Sequence, residues 1–137
     1  MDRSGAETML MNIFRKVDKT QFHFMFLLCD SQTGAYDREI ESLGGTIYYI
    51  DSLGSINYVN YIEKIKRVIA QIPKVDVVHI HMDWQCGFIA YAIHCAGIKN
   101  IVVHNHSSSF DTKGGVKKII AVWISKLLIR RYAKMKS

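Results

Sequence analysis

The chain predicts an α/β protein, a parallel sheet flanked by helices, and three observations carry that expectation. Helix-like and strand-like segments alternate from one end of the sequence to the other. The clearest strand, Val75-Asp76-Val77-Val78-His79-Ile80-His81, is a short β-branched run bounded by Pro73 and Lys74. A helix-like run over 87–96 follows it, which makes the strand, loop and helix of a βαβ crossover. The next strand, 100–104, ends in histidine as the first does, so two neighbouring strands close on His-x-His, with His79 and His81 on one and His104 and His106 on the other. Ligands of open α/β sheets bind outside the carboxyl ends of the strands, and those two ends mark one crevice.

The first element is a helix. Ser4-Gly5-Ala6-Glu7 fits a capping box, and Met9, Leu10, Ile13, Phe14 and Val17 follow at helical spacing to about residue 17. An apolar strand over 22–29 comes next, then a polar loop and a helix over about 36–43 that stops at Gly44-Gly45, where a left-handed cap is favoured. Residues 46–50 are a short β-branched strand. Tyr58, Ile62, Ile65, Val68, Ile69 and Ile72 draw one apolar stripe on a helix that ends before Pro73. After the central strand and the 87–96 helix, Gly97 serves as cap. The Ser- and Gly-rich stretch 107–115 then leads from the 100–104 strand into a basic helix over 116–133. The order begins with a helix, and Met1-Asp2-Arg3 is too short to be the strand that would feed it, so the first strand of the sheet is expected to be missing.

Composition narrows the class. The 137 residues are 49% hydrophobic, enough for one domain with a core, and no segment reaches the roughly 18 uncharged apolar residues of a membrane-spanning helix. The opening residues lack the basic and apolar regions of a signal peptide, so a cytoplasmic location is expected. Cys29, Cys86 and Cys95 are odd in number, without metal-type spacing and in apolar surroundings, and are expected to be buried thiols. The formal charge of +6 is uneven: 112–137 hold eight of the 18 basic residues and none of the 12 acidic ones. The basic character thus belongs to the last helix, which argues against a nucleic-acid partner read by a basic face.

Three places carry chemistry. The helix start at Ser4, Gly5 and Ala6 offers unpaired N–H groups and a positive dipole end, suited to a diphosphate. His79 and His81 share one side of their strand; His79 is expected to be a packed, hydrogen-bonded core residue and His81, followed by Met82-Asp83-Trp84, to reach the cleft. The helix between Val116 and Ala133 sets Ile119, Ile120, Trp123, Ile124, Leu127 and Leu128 beside Lys117, Lys118, Lys126, Arg130 and Arg131, a pattern that fits an anionic lipid surface. Val122 and Ile129 broaden its apolar surface and favour the plainer expectation, a core-facing helix with a solvated basic side.

Asp2-Arg3-Ser4-Gly5-Ala6-Glu7-Thr8-Met9, Asn12 and the Phe-rich strand, Leu43-Gly44-Gly45, Asp76-Val77-Val78-His79-Ile80-His81 and His104-Asn105-His106-Ser107, in that order, resemble the N-terminal half of bacterial family-four glycosyltransferases. These are retaining enzymes of the GT-B fold that build capsular and exopolysaccharides. The resemblance implies a Rossmann-like domain on the acceptor side of a two-domain enzyme. A separate donor-binding domain, outside these 137 residues, would hold the nucleotide sugar. On that expectation the chain is one partial domain, inactive alone, whose partners in the full-length enzyme are a nucleotide sugar and a saccharide or lipid-linked acceptor. No further cofactor and no metal are expected. The resemblance assigns donor-phosphate contact to the loop at Ser4, Gly5 and Ala6, and approach to the acceptor hydroxyl or the transferring sugar to His106, with His81 beside it. Ser4 departs from the family's usual Gly. In Rossmann-type order the missing strand would lie between 22–29 and 75–81, which predicts exposed strand edges there.

A metal-dependent hydrolase that uses the two His-x-His pairs is the second expectation, weakened because no Asp or Glu accompanies the histidines at a ligand spacing. An inactive remnant or regulatory partner is the third.

Overall fold

The computed structural model describes residues 5–29, 33–50, 57–82, 84–104 and 115–136. It is α/β with parallel strands only, in the order α1 (Gly5–Lys16), β1 (Met25–Leu28), α2 (Asp37–Ser42), β2 (Thr46–Tyr49), α3 (Tyr58–Gln71), β3 (Val78–His81), α4 (Cys86–Cys95), β4 (Ile101–His104), α5 (Gly115–Tyr132) and β5 (Met135–Lys136). Instead of one sheet, the strands form two parallel sheets, β1-β2 and β3-β4-β5. Residues 1–55 and 56–137 are separate compact units.

In the first unit, Met11 and Phe14 of α1 are buried against Phe26, Tyr36 and Ile40. Phe14 and Phe26 meet edge to face at 5.2 Å, the arrangement that ring quadrupoles favour. The Arg15 guanidinium of α1 binds both Glu39 carboxylate oxygens, at 2.6 and 2.8 Å, on the surface of α2. Helix α2 ends as expected: Gly44 has φ +84°, and Gly45 lies so close to Ile40 that a Cβ would come within 2.7 Å of its side chain. Strand β1 is shorter than the apolar run suggests, and Phe22, outside it, is exposed.

In the second unit, α4 is the central helix. It packs on β3 and β4 and also against α3 and α5. That placement explains why seven of its ten residues are buried and why its sequence is apolar on all sides. Asn57 caps α3 by accepting the Val59 N–H at 3.0 Å; of the predicted stripe Ile65 and Ile69 are buried and Tyr58, Ile62, Val68 and Ile72 half-buried, while Tyr61, outside that stripe, is buried with them. Each such side chain contributes about 1.5–3 kcal/mol on burial. Helix α5 meets α4 at a tight crossing where the Gly87 N–H donates to Ser125 Oγ at 2.9 Å.

Three expectations change. Strand β5 was not foreseen: the Lys134 N–H donates to the Ile101 carbonyl, and the Lys134 ammonium binds Asn100 Oδ1 at 2.6 Å, which lays Met135 and Lys136 beside Val102 and Val103. The outward apolar residues of α5 are exposed, with Val116 at 72% and Trp123 at 63%, so the helix is not simply core-facing. Of the cysteines, Cys86 is buried and donates to the Met82 carbonyl, Cys29 is half-buried and Cys95 is exposed; all three are free thiols. No described helix is long and apolar enough to cross a membrane.

Candidate active site

Strands β3 and β4 are parallel and paired residue for residue, from Val78 with Ile101 to His81 with His104. The register brings both carboxyl ends to the same level, and each ends in an imidazole. Alternation along β3 sends Ile80 into the core and places His79 and His81 together on the other side. His79 is therefore exposed rather than a core histidine, while His81 and His104 are half-buried. The ring centres of His79 and His81 lie 3.9 Å apart; those of His81 and His104 lie 5.4 Å apart and nearly parallel, at 21°. One nitrogen of each ring lies within 4.8 Å of one from each of the others. His106 lies outside the described residues.

Beyond the end of β3 stands an aromatic group. Trp84, three residues after His81, meets Phe88 of α4 edge to face at 6.4 Å, and Tyr58 at the start of α3 stacks on Phe88 at 4.7 Å. Trp84 and Tyr58 are half-buried, so this group is open in part to solvent. The sequence pattern flagged Trp84 but missed Tyr58, whose position in the apolar stripe of α3 marks it as core.

In the first unit, α1 starts at Gly5, and Ser4, the expected cap, lies outside the described residues. Gly5 is exposed and Ala6 half-buried. One Glu7 carboxylate oxygen is buried with no hydrogen-bond partner among the described residues. Gly5, Thr8, Met9, Asn12, Ile13, Lys16 and Val17 line a shallow open depression along this face of α1.

A buried carboxylate lies in the same unit. Asp37, at the start of α2, is 2% exposed and accepts from the Tyr49 hydroxyl and the Gly34 N–H, each at 2.7 Å. Burial works to raise the Asp37 pKa, but the donors around it outweigh burial and hold it below the ordinary carboxylate value. The same hydrogen bond pushes the Tyr49 phenol up to about 12. This pairing joins β2 to α2 and is structural in character.

The crevice at the ends of β3 and β4 therefore holds imidazoles and aromatic surfaces, with no described carboxylate in its histidine cluster. Such a set can donate hydrogen bonds to hydroxyls and cover sugar faces. Comparison with known proteins gives the family. The model of the family described as Glycosyltransferase Family 4 matches residues 3–136. EpsF of Bacillus subtilis (strain 168), named as a glycosyltransferase, is 39% identical over 129 residues, which are 94% of this chain and 34% of that protein. The capsular polysaccharide biosynthesis glycosyltransferase CapH of Staphylococcus aureus is 29% identical over 119 residues, 87% of this chain and 32% of its own length. The chain thus spans about a third of the relatives it matches, and with the family's model covering it almost end to end, it belongs to glycosyltransferase family 4.

Proposed function

We propose that this chain forms the acceptor side of an enzyme that moves a sugar, with retention, from a nucleotide-sugar donor to a saccharide or lipid-linked acceptor in polysaccharide assembly. The observation that carries the proposal is the β3–β4 register, which sets His81 and His104 side by side at the carboxyl ends of two parallel strands. Transfer develops oxocarbenium character at the sugar and negative charge on the departing diphosphate. Groups that donate hydrogen bonds where charge grows are then worth more than a strong nucleophile. His81 and His106 take that role toward the reacting hydroxyl and sugar, and Trp84 and Tyr58 supply apolar faces for the acceptor's ring. The N–H groups at Ser4, Gly5 and Ala6, with the dipole of α1 behind them, receive the donor's phosphates.

The acceptor's lipid end is met by α5. Val116, Ile119, Ile120, Trp123, Ile124 and Leu127 are all exposed and recur at three- and four-residue spacing, so they form one outward stripe. Lys117 and Lys126 flank that stripe and Arg130 and Arg131 close its C-terminal end. An apolar strip with a basic border complements an anionic bilayer, where each basic residue near the surface adds about 1 kcal/mol.

The test is transfer by the full-length enzyme, with the 137-residue chain assayed beside it. His106→Ala and His81→Ala should lower turnover by ~10² to 10³, the usual effect of removing a donor that acts in the transition state. The short chain should show no turnover. Normal transfer by both variants, or robust transfer by the short chain, would overturn the proposal.

A further inference from the structure

The three imidazoles at the ends of β3 and β4 converge more closely than hydrogen bonding to a sugar requires. We infer that His79, His81 and His104 form a binding site for a divalent transition-metal ion of the zinc type, with three nitrogen ligands and a fourth position open to an oxygen ligand. The inference stands on geometry alone and does not depend on the transfer chemistry.

The backbone does most of the placing. His79 and His81 are two apart on one strand and so project from the same side, and ladder pairing puts His104 directly beside His81. With the Cα positions held by the sheet, only side-chain torsions remain to be adjusted. Tetrahedral zinc at Zn–N distances of 2.0–2.1 Å places its nitrogens roughly 3.3 Å apart. The three rings already offer nitrogens within 4.8 Å of one another. Small rotations close the difference, and the exposed ring of His79 has room to make the largest of them.

The donor set also selects the ion. Three neutral imidazoles suit zinc, nickel and copper, whereas magnesium and calcium demand oxygen ligands. Among the described residues the cluster contains no thiolate or carboxylate, so three neutral ligands leave a bound ion its full positive charge. It would draw an anionic or hydroxyl oxygen into the open position. His79 lies at the surface, which gives the ion a way in.

The sequence alone offers the two His-x-His pairs as metal ligands but disfavours a metal because no Asp or Glu accompanies them at a ligand spacing. The ligand set exists only once the β3–β4 register is formed.

The test uses the untagged 137-residue chain. Titration with cobalt(II), followed by its visible d–d absorption, and calorimetry with zinc should each show saturable binding of one ion per chain. Magnesium should give no heat. His79→Ala and His104→Ala should each weaken zinc binding by at least about tenfold, since losing even an outer partner of a ligand costs 10–100-fold. His23→Ala, which removes an exposed histidine elsewhere, should leave it unchanged. Circular dichroism establishes that each variant is folded. Absence of saturable zinc or cobalt binding would overturn the inference, as would binding that survives both substitutions in folded protein.

Discussion

Helices α3 and α5 flank the same central helix, yet they treat their apolar residues in opposite ways. On α3 the apolar stripe is narrow and goes inward: Tyr61, Ile65 and Ile69 are buried, and the outer side carries residues such as Glu63, Lys64 and Arg67. On α5 the side packed against α4 is modest, Ala121 and Ser125, and the larger apolar residues face out. A helix that spends its small residues on the core and its large ones on solvent is shaped for a second contact. Sequence periodicity finds the buried Ile65 and Ile69 of α3 but passes over Tyr61, which is buried beside them. On α5 two apolar faces overlap in the pattern, and the sequence then looks like a helix buried on a broad front.

Substitutions can break this contrast, beginning with the largest effect. Ile65→Ala on α3 empties a site that is 0% exposed and should destabilise the chain by about 2–5 kcal/mol in urea melts. An effect below about 1 kcal/mol would mean that α3 does not bear the core contact assigned to it. Ser125→Ala on the inner side of α5 leaves the buried Gly87 N–H without its acceptor and should cost about 1–3 kcal/mol. Ile120→Gln with Trp123→Gln on the outer side should change stability by no more than about 0.5 kcal/mol each. The same pair should abolish co-sedimentation with vesicles containing anionic lipid, and raising the salt concentration should weaken binding of the unaltered chain. If the outer pair destabilised as strongly as Ile65→Ala, that face would be core and the lipid reading would fall.

Tyr49 gives a smaller effect, measurable by pH. Its phenol is raised from 10 to about 12 by the bond to Asp37, so the contribution is present in full below pH 10 and lost as pH climbs toward 12. Tyr49→Phe should remove this alkaline loss, seen as a flatter stability curve over that interval. An unchanged curve would show that the pair does not act as a proton-linked contact.

Among the described residues all five helices and four of the five strands are legible in the sequence, because each rests on local periodicity, a glycine stop or a β-branched run. Strand ends are less so. Residues 75–77 have the composition of a strand, but the ladder with β4 begins at Val78, where the Asn100 carbonyl accepts the Val78 N–H. Strand β5 has no pattern at all, being two residues whose place is decided by Lys134 reaching Asn100 and Ile101. The site divides in the same manner. Alternation pairs His79 with His81 in any strand; whether that side is covered, and whether His104 comes level with His81, are matters of packing and register that no local rule contains. His106 and Ser4 lie outside the described residues.

The crossing at Gly87 sets the azimuth of α5. A Cβ at that position would lie 2.1 Å from the Ser125 carbonyl oxygen and 2.5 Å from its hydroxyl, so no other residue fits without pushing the helices apart. The hydroxyl is also tied to the Gly87 N–H, which turns a close approach into a keyed one. Rolling α5 about its axis would break the key, and translating it by one turn would put Ala121 or Ile129 where Ser125 must be. The direction in which Trp123 and its neighbours look is therefore determined at a point on the opposite side of the helix. Gly87→Ala would act as a wrench on that heading: before it unfolds anything, it would redirect the outer face.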